Sequence, residues 1–208
     1  MRLNTYIDET GEVRETFDHL YNSTSLNERG VELAEVCRFL SGPKDVRFGA
    51  HVLEIGNVLS HYPTLDALVP DRVIVDLYEQ AAGVINEDIL SWEPVIPPTD
   101  IIAISTLEHI GTDADDDPFP ARALHALMRL RLMLPVGGRL FATWPQGHNA
   151  CLDDMTRLGF FGDAISLDAY ARGQESWVSS DPNSWPRPYG ETTMWAEAVT
   201  IAVFGPVV

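Results

Sequence analysis

Lysine is almost missing from this chain. Lys44 is the only one among 14 basic residues, against 31 acidic residues and a net charge of -17. Such a surface repels phosphate backbones and anionic membranes, which argues against nucleic acid or a membrane as partner. Cysteine is nearly missing too. Cys37 and Cys151 stand far apart, with no metal-type spacing and no disulfide framework, and read as two buried thiols. No apolar run approaches the ~20 residues that cross a bilayer. The segment Met1 to Glu9 is polar and lacks a signal peptide's apolar centre. These absences lead to the expectation of a cytoplasmic protein.

Several catalytic signatures are missing as well. There is no G-x-x-x-x-G-K-[ST] phosphate loop, no His-Cys cluster suited to zinc, and no nucleophile elbow. The acids Asp113, Asp115, Asp116 and Asp117 can in principle hold a divalent ion through oxygen, but a solvated acidic loop is the simpler reading, and no metal is expected.

What is present is a chain of 208 residues with ordinary globular composition. It organises itself around His51-Val52-Leu53-Glu54-Ile55-Gly56-Asn57, an apolar run that ends in an acid with a glycine two positions on. Further apolar segments follow: Arg72 to Asp76, Val84-Ile85, Asp100 to Ser105, Arg139 to Trp144, a possible strand at Trp177 to Ser179, and a last one centred on Val199 to Val203. Near-continuous apolar strands belong to a parallel sheet covered on both faces.

Helical spacing marks Val31 to Leu40, with a capping-box pair at Ser25 and Glu28, and Ala121 to Leu134. Val58 to Leu68 reads as an irregular helix broken by Pro63. Cys151 to Gly159 and Leu167 to Arg172 read as short helices. The expected fold is α/β: a doubly wound, mostly parallel sheet of about seven strands behind a leading helix. A single domain is expected over 1–208, with a helical extension at 1–49 and an α/β core at 50–208. The leading helix and the C-terminal apolar strand are the candidate surfaces for a homodimer.

In such a sheet the ligand lies beyond the carboxyl ends of the strands, where strand order reverses. Asp76 closes the second core strand 22 residues after Glu54, the spacing of an acid that accepts two ribose hydroxyls; Glu79 is the fallback. The turn after Ile55 carries only Gly56. Val58 and His61 occupy positions where a dinucleotide's pyrophosphate needs bare backbone, so a nicotinamide dinucleotide fits poorly.

Five strings now stand in order: Val52 to Asn57, Asp76, Glu87-Asp88-Ile89, Ser105 to Ile110, and Gly137 to Leu140. Together they resemble the class I, Rossmann-like S-adenosylmethionine-dependent methyltransferases, well over 50–144 and weakly at the ends. A narrower likeness is to small bacterial and phage members associated with glycans. The resemblance implies S-adenosylmethionine as cofactor. It implies Glu54 and Gly56, with Asn57, at the methionine end, and Asp76 on the ribose with Leu77 beside it. Asp88 would accept from the adenine amino group, with Ile89 along the ring and Ser105 and Thr106 under the methyl.

Methyl transfer is an in-line displacement in which the protein aligns the partners and can remove the acceptor's proton. His109 is the candidate base and Glu108 its neighbour. His61, Trp144 and His148 are candidate substrate contacts, and Arg29 can meet a carboxylate. The expected function is methyl transfer to a small molecule or glycan, with oxygen as the acceptor atom. The alternatives are a non-catalytic relative that kept the fold and a nicotinamide-dependent oxidoreductase.

Overall fold

A computed structural model describes residues 3–42, 51–112, 118–191 and 194–207. The acids at 113 and 115–117 lie outside the described residues.

The described chain forms one sheet of ten strands. In chain order these are β1 (Thr5–Ile7), β2 (Val13–Glu15), β3 (Val52–Ile55), β4 (Val73–Val75), β5 (Val84–Ile85), β6 (Asp100–Ile104), β7 (Arg139–Pro145), β8 (Ser166–Arg172), β9 (Trp177–Ser180) and β10 (Ala198–Phe204). Their spatial order is β2-β1-β9-β8-β10-β7-β6-β3-β4-β5. The pairs β5-β4, β4-β3, β3-β6 and β6-β7 are parallel. β10 runs antiparallel between β7 and β8.

Helices cover both faces. They are α1 (Arg29–Ser41), α2 (Pro63–Asp66), α3 (Ala121–Met133) and α4 (Ala150–Arg157). Every residue of β6 is buried. Its alternate side chains part to opposite faces, as strand geometry requires. Ile102 and Ile104 join Val31, Leu33 and Val36 of α1, while Ile101 and Ala103 join Ala126, Leu127 and Leu130 of α3. The chain leaves β3 towards β4 on one side and returns to β6 on the other, which places the order reversal at the carboxyl ends of β3 and β6.

Several expectations need correction. Ten strands replace about seven, because β1, β2 and β9 extend the sheet beyond β8. The leading segment is therefore not only helical: Tyr6 and Ile7 of β1 pair in parallel with Trp177 and Val178. Leu167 to Arg172 is a strand, not a helix. Its alanines favour a helix locally, but pairing with β10 on one side and β9 on the other overrides that preference. Ser25 lies buried in a 3-10 turn rather than capping α1. Asn27 takes that part, its Oδ1 accepting from Arg29 N at 3.1 Å. β10, paired along both edges and buried, offers no surface for a dimer.

Trp144 is fully buried in the α3 layer, edge-on to Phe161 at 6.0 Å. It belongs to the core and not to a substrate pocket. Trp144→Ala is expected to cost about 3–5 kcal/mol in denaturant unfolding, the usual result of emptying a buried aromatic site.

Candidate functional site

A cleft of about 630 Å³ opens beyond the carboxyl ends of β3, β4 and β6. Gly56, Asn57, Asp76, Leu77, Asp88, Ile89, Ser105, Thr106, His61 and His109 all line it. Glu54, Glu108, Trp144 and His148 do not.

Gly56 has φ +79° and meets Thr106 so closely that a Cβ would collide with Thr106 Oγ1. Only glycine suits both demands. Glu54 turns away from the cleft. Its Oε1 accepts from Val58 N at 2.9 Å and Leu59 N at 2.7 Å, and Oε2 pairs with the Arg72 guanidinium. Burial pushes its carboxyl up, and those donors oppose the shift. Glu54 thus shapes the turn that follows Gly56 and does not line the cleft.

Asn57 Nδ2 donates to Glu79 Oε1 at 2.6 Å, which fixes the amide and leaves its buried Oδ1 without a partner. Asp76 Oδ1 accepts from Tyr78 N at 2.8 Å and Glu79 N at 2.7 Å, closing the loop after β4 and leaving Oδ2 for a ligand. Asp88 Oδ1 accepts from Leu90 N at 2.9 Å, and Oδ2 meets Arg122 at 3.2 Å. From α3, Arg129 donates to the carbonyls of Ile89 at 3.0 Å and Trp92 at 2.9 Å, anchoring that loop.

The floor is held from α1. Glu32, fully buried, accepts from Ser105 Oγ at 2.5 Å and Thr143 Oγ1 at 2.6 Å, and pairs with Arg29 at 3.3 Å. Ser105 itself sits at φ +42°, a left-handed conformation unusual for a residue other than glycine. Arg29, Tyr21, Asn22, Tyr62 and Arg122 join the cleft wall. Asn22 and Arg122 carry no motif signal. They lie outside the strand ends and reach the site only through tertiary packing.

His109 lines the cleft, with Glu108 Oε1 at 3.6 Å from its Nε2. Glu108 is fully buried. Burial, reinforced by nearby Glu32 and Glu28, pushes its carboxyl well above the usual range. His148 stands behind His109, ring to ring at 4.6 Å, and meets Tyr189 at 5.1 Å. His61 stacks on Tyr21 at 4.5 Å and lies 3.7 Å from Glu79. Among the described residues no group of three or more His, Cys, Asp or Glu is arranged to hold a metal. No helix among them is long and apolar enough to cross a membrane.

The turn carrying His148 is fastened by Asp153, whose Oδ2 accepts from Gly147 N at 2.9 Å. Burial pushes the Asp153 carboxyl up to about 6. Its folded pKa lies above its unfolded one, so the protonated form favours folding, and this contribution is lost as pH rises through about 6. Asp153→Asn keeps the acceptor without the charge. It is expected to stabilise the protein by about 1–3 kcal/mol at pH 8 and by nothing measurable below pH 4, read from urea unfolding at the two pH values.

No protein-family model matches the chain. No curated protein matches it either. Solved structures do. The N-methyltransferase NodS from Bradyrhizobium japonicum WM9 aligns with a TM-score of 0.54 at 16% identity, over 86% of this chain and 97% of that one. Its complex with S-adenosyl-L-homocysteine aligns with a TM-score of 0.52 at 14% identity, over 86% and 87%. An rRNA methylase from Streptococcus thermophilus gives 0.51 at 13% identity, over 85% and 97%. The chain therefore has the fold of the class I S-adenosylmethionine-dependent methyltransferases.

Proposed function

We propose that this protein transfers a methyl group from S-adenosylmethionine to a small molecule or glycan, with a hydroxyl oxygen as acceptor. The observation that carries the reading is the placement of two carboxylates, Asp76 and Asp88, on the wall of the same open cleft as the single-glycine turn at Gly56. The cleft's volume, about 630 Å³, is within the ordinary range for a ligand pocket. The free Oδ2 of Asp76 suits a ribose diol, and Asp88 suits an exocyclic amino group. A nicotinamide dinucleotide is disfavoured because Val58 lines the cleft beside Gly56. The open cleft also argues against a plugged, non-catalytic relative. The net charge of -17 favours a neutral or cationic acceptor over a polyanion.

When bound, S-adenosylmethionine supplies a sulfonium methyl that is electrophilic without a metal. The chain supplies the rest. Ser105 and Thr106, braced by Glu32 and Gly56, form a rigid floor that fixes alignment. His109, on the cleft wall, receives the acceptor's proton, with the buried Glu108 carboxyl 3.6 Å from its Nε2. An amine acceptor is the second reading. The carboxylates on the cleft wall, Asp76, Glu79, Glu87 and Asp88, outnumber its arginines, Arg29 and Arg122, which favours a positively charged group, and NodS is an N-methyltransferase.

Titration calorimetry with S-adenosylhomocysteine tests the reading. Asp76→Ala is expected to weaken binding about 10–100-fold, since it removes charge-assisted bonds to the ribose. His109→Ala is expected to leave binding within about threefold while slowing turnover. Folded wild-type protein that takes up no ligand at millimolar concentration would count against the whole assignment.

A further inference from the structure

One wall of the cleft continues outward as a row of rings. His109 lines the cleft, and its ring centroid lies 4.6 Å from that of His148 at 67°. His148 in turn meets Tyr189 at 5.1 Å and 80°. Four residues before Tyr189, in the loop between β9 and β10, stands Trp185 with 76% of its surface exposed. The Arg157 guanidinium lies over the indole at 4.3 Å, so one face of that ring is covered and the other is open to solvent.

The backbone that carries these rings fixes them. Gly147 has φ +83°, and a Cβ there would stand 2.4 Å from the Arg187 carbonyl oxygen and 2.6 Å from Tyr189 N. The turn after β7 therefore lies directly against the Tyr189 loop, and Gln146 Oε1 accepts from Arg187 N at 3.4 Å. On its other side the Asn149 amide donates to the Glu108 carbonyl at 3.1 Å, which ties the His148 turn to the His109 turn. Pro182, Pro186 and Pro188 restrict the loop further. Arg157 donates to Asp154 Oδ1 at 3.1 Å, which steadies it against the indole. Scattered exposed aromatics need no explanation, but an exposed indole and phenol in a proline-braced loop, continuous with the cleft wall, form a prepared surface.

We infer that His148, Tyr189 and Trp185 form a ledge for a sugar chain of two or more pyranose rings, which delivers its terminal ring to His109. The inference rests on the methyltransferase reading and names its acceptor, an oligosaccharide in place of a lone small molecule. The chemistry of the ledge selects this partner. Aromatic rings offer flat apolar faces that match the C–H faces of pyranoses, and they lose little rotamer freedom on contact. The residues around them, Asn183, Ser184 and Gly190, are exposed and polar or small, and suit hydroxyls better than they suit a lipid or an apolar peptide. The ring-to-ring steps of 4.6 and 5.1 Å are each about the length of one pyranose. The net charge of -17 restricts the sugars to neutral and amino types.

The test titrates neutral-hexose and amino-sugar oligosaccharides of one to four β-1,4-linked rings into protein saturated with S-adenosylhomocysteine, read by calorimetry. Wild-type affinity is expected to rise about 10-fold from one ring to three, each added ring gaining an aromatic contact. Trp185→Ala and Tyr189→Ala should each weaken the three-ring ligand about 3–10-fold and leave the single ring and S-adenosylhomocysteine within about twofold. Trp185→Tyr should restore most of the loss. Tyr189→Ala removes the ring packed on His148 and can shift that turn; Trp185→Ala, at an exposed position, leaves the turn in place. An affinity that does not rise with ring number, equal losses for one ring and three, or no loss in Trp185→Ala overturns the ledge. Wild-type protein that binds S-adenosylhomocysteine but none of the sugars overturns the ledge alone. Wild-type protein that takes up no S-adenosylhomocysteine overturns the methyltransferase reading with it.

Discussion

One buried carboxylate joins the leading helix to the working end of the sheet. Glu32 accepts the hydroxyls of Ser105 and Thr143, from just past β6 and from within β7, and pairs with Arg29 one turn earlier on its own helix. A carboxylate without solvent is costly unless donors surround it. Here three do, and each belongs to a different part of the site. Ser105 is held in a left-handed conformation by this bond and by the bonds of its backbone N to Thr143. That geometry brings Thr106 against Gly56, where no side chain fits. The helix that precedes the α/β core is thus part of the cleft's foundation and not an appendage.

The sheet determines where this foundation stands. With β3 and β6 adjacent and the chain departing to opposite sides, their carboxyl ends leave a gap that no crossover covers. Loops replace helices after β4 and β5, and each is secured by its own side chains. Asp76 closes one on itself, and Arg129 holds the other from α3. Carboxylates at such a rim favour a ligand with several hydrogen-bond donors and repel phosphates. That description fits a nucleoside without phosphates better than it fits a dinucleotide.

The core was legible because strand periodicity and burial agree there. β6, β7 and β10 are buried on both faces, and each appears in the sequence as a near-continuous apolar run. Asp76, Asp88 and Ser105 were legible for a related reason: a residue just past a parallel strand has one place to be. The extension was not. β1 and β2 are three residues each, too short for a pattern, and exist through pairing with one another and with β9. β8 was hidden by its alanines. Glu54 was misplaced because a carboxylate at a strand end reads the same whether it points out to a ligand or back to Arg72. Arg72 is the signal that distinguishes the two, and only the fold brings it there.

A crystal structure of the protein with S-adenosylhomocysteine tests the central claim most directly. The account predicts the ribose on Asp76, the adenine beside Asp88 and Ile89, and the sulfur above Ser105 and Thr106. Ligand bound elsewhere, or a nucleoside lying in the cleft with both aspartates out of hydrogen-bond reach, would contradict it.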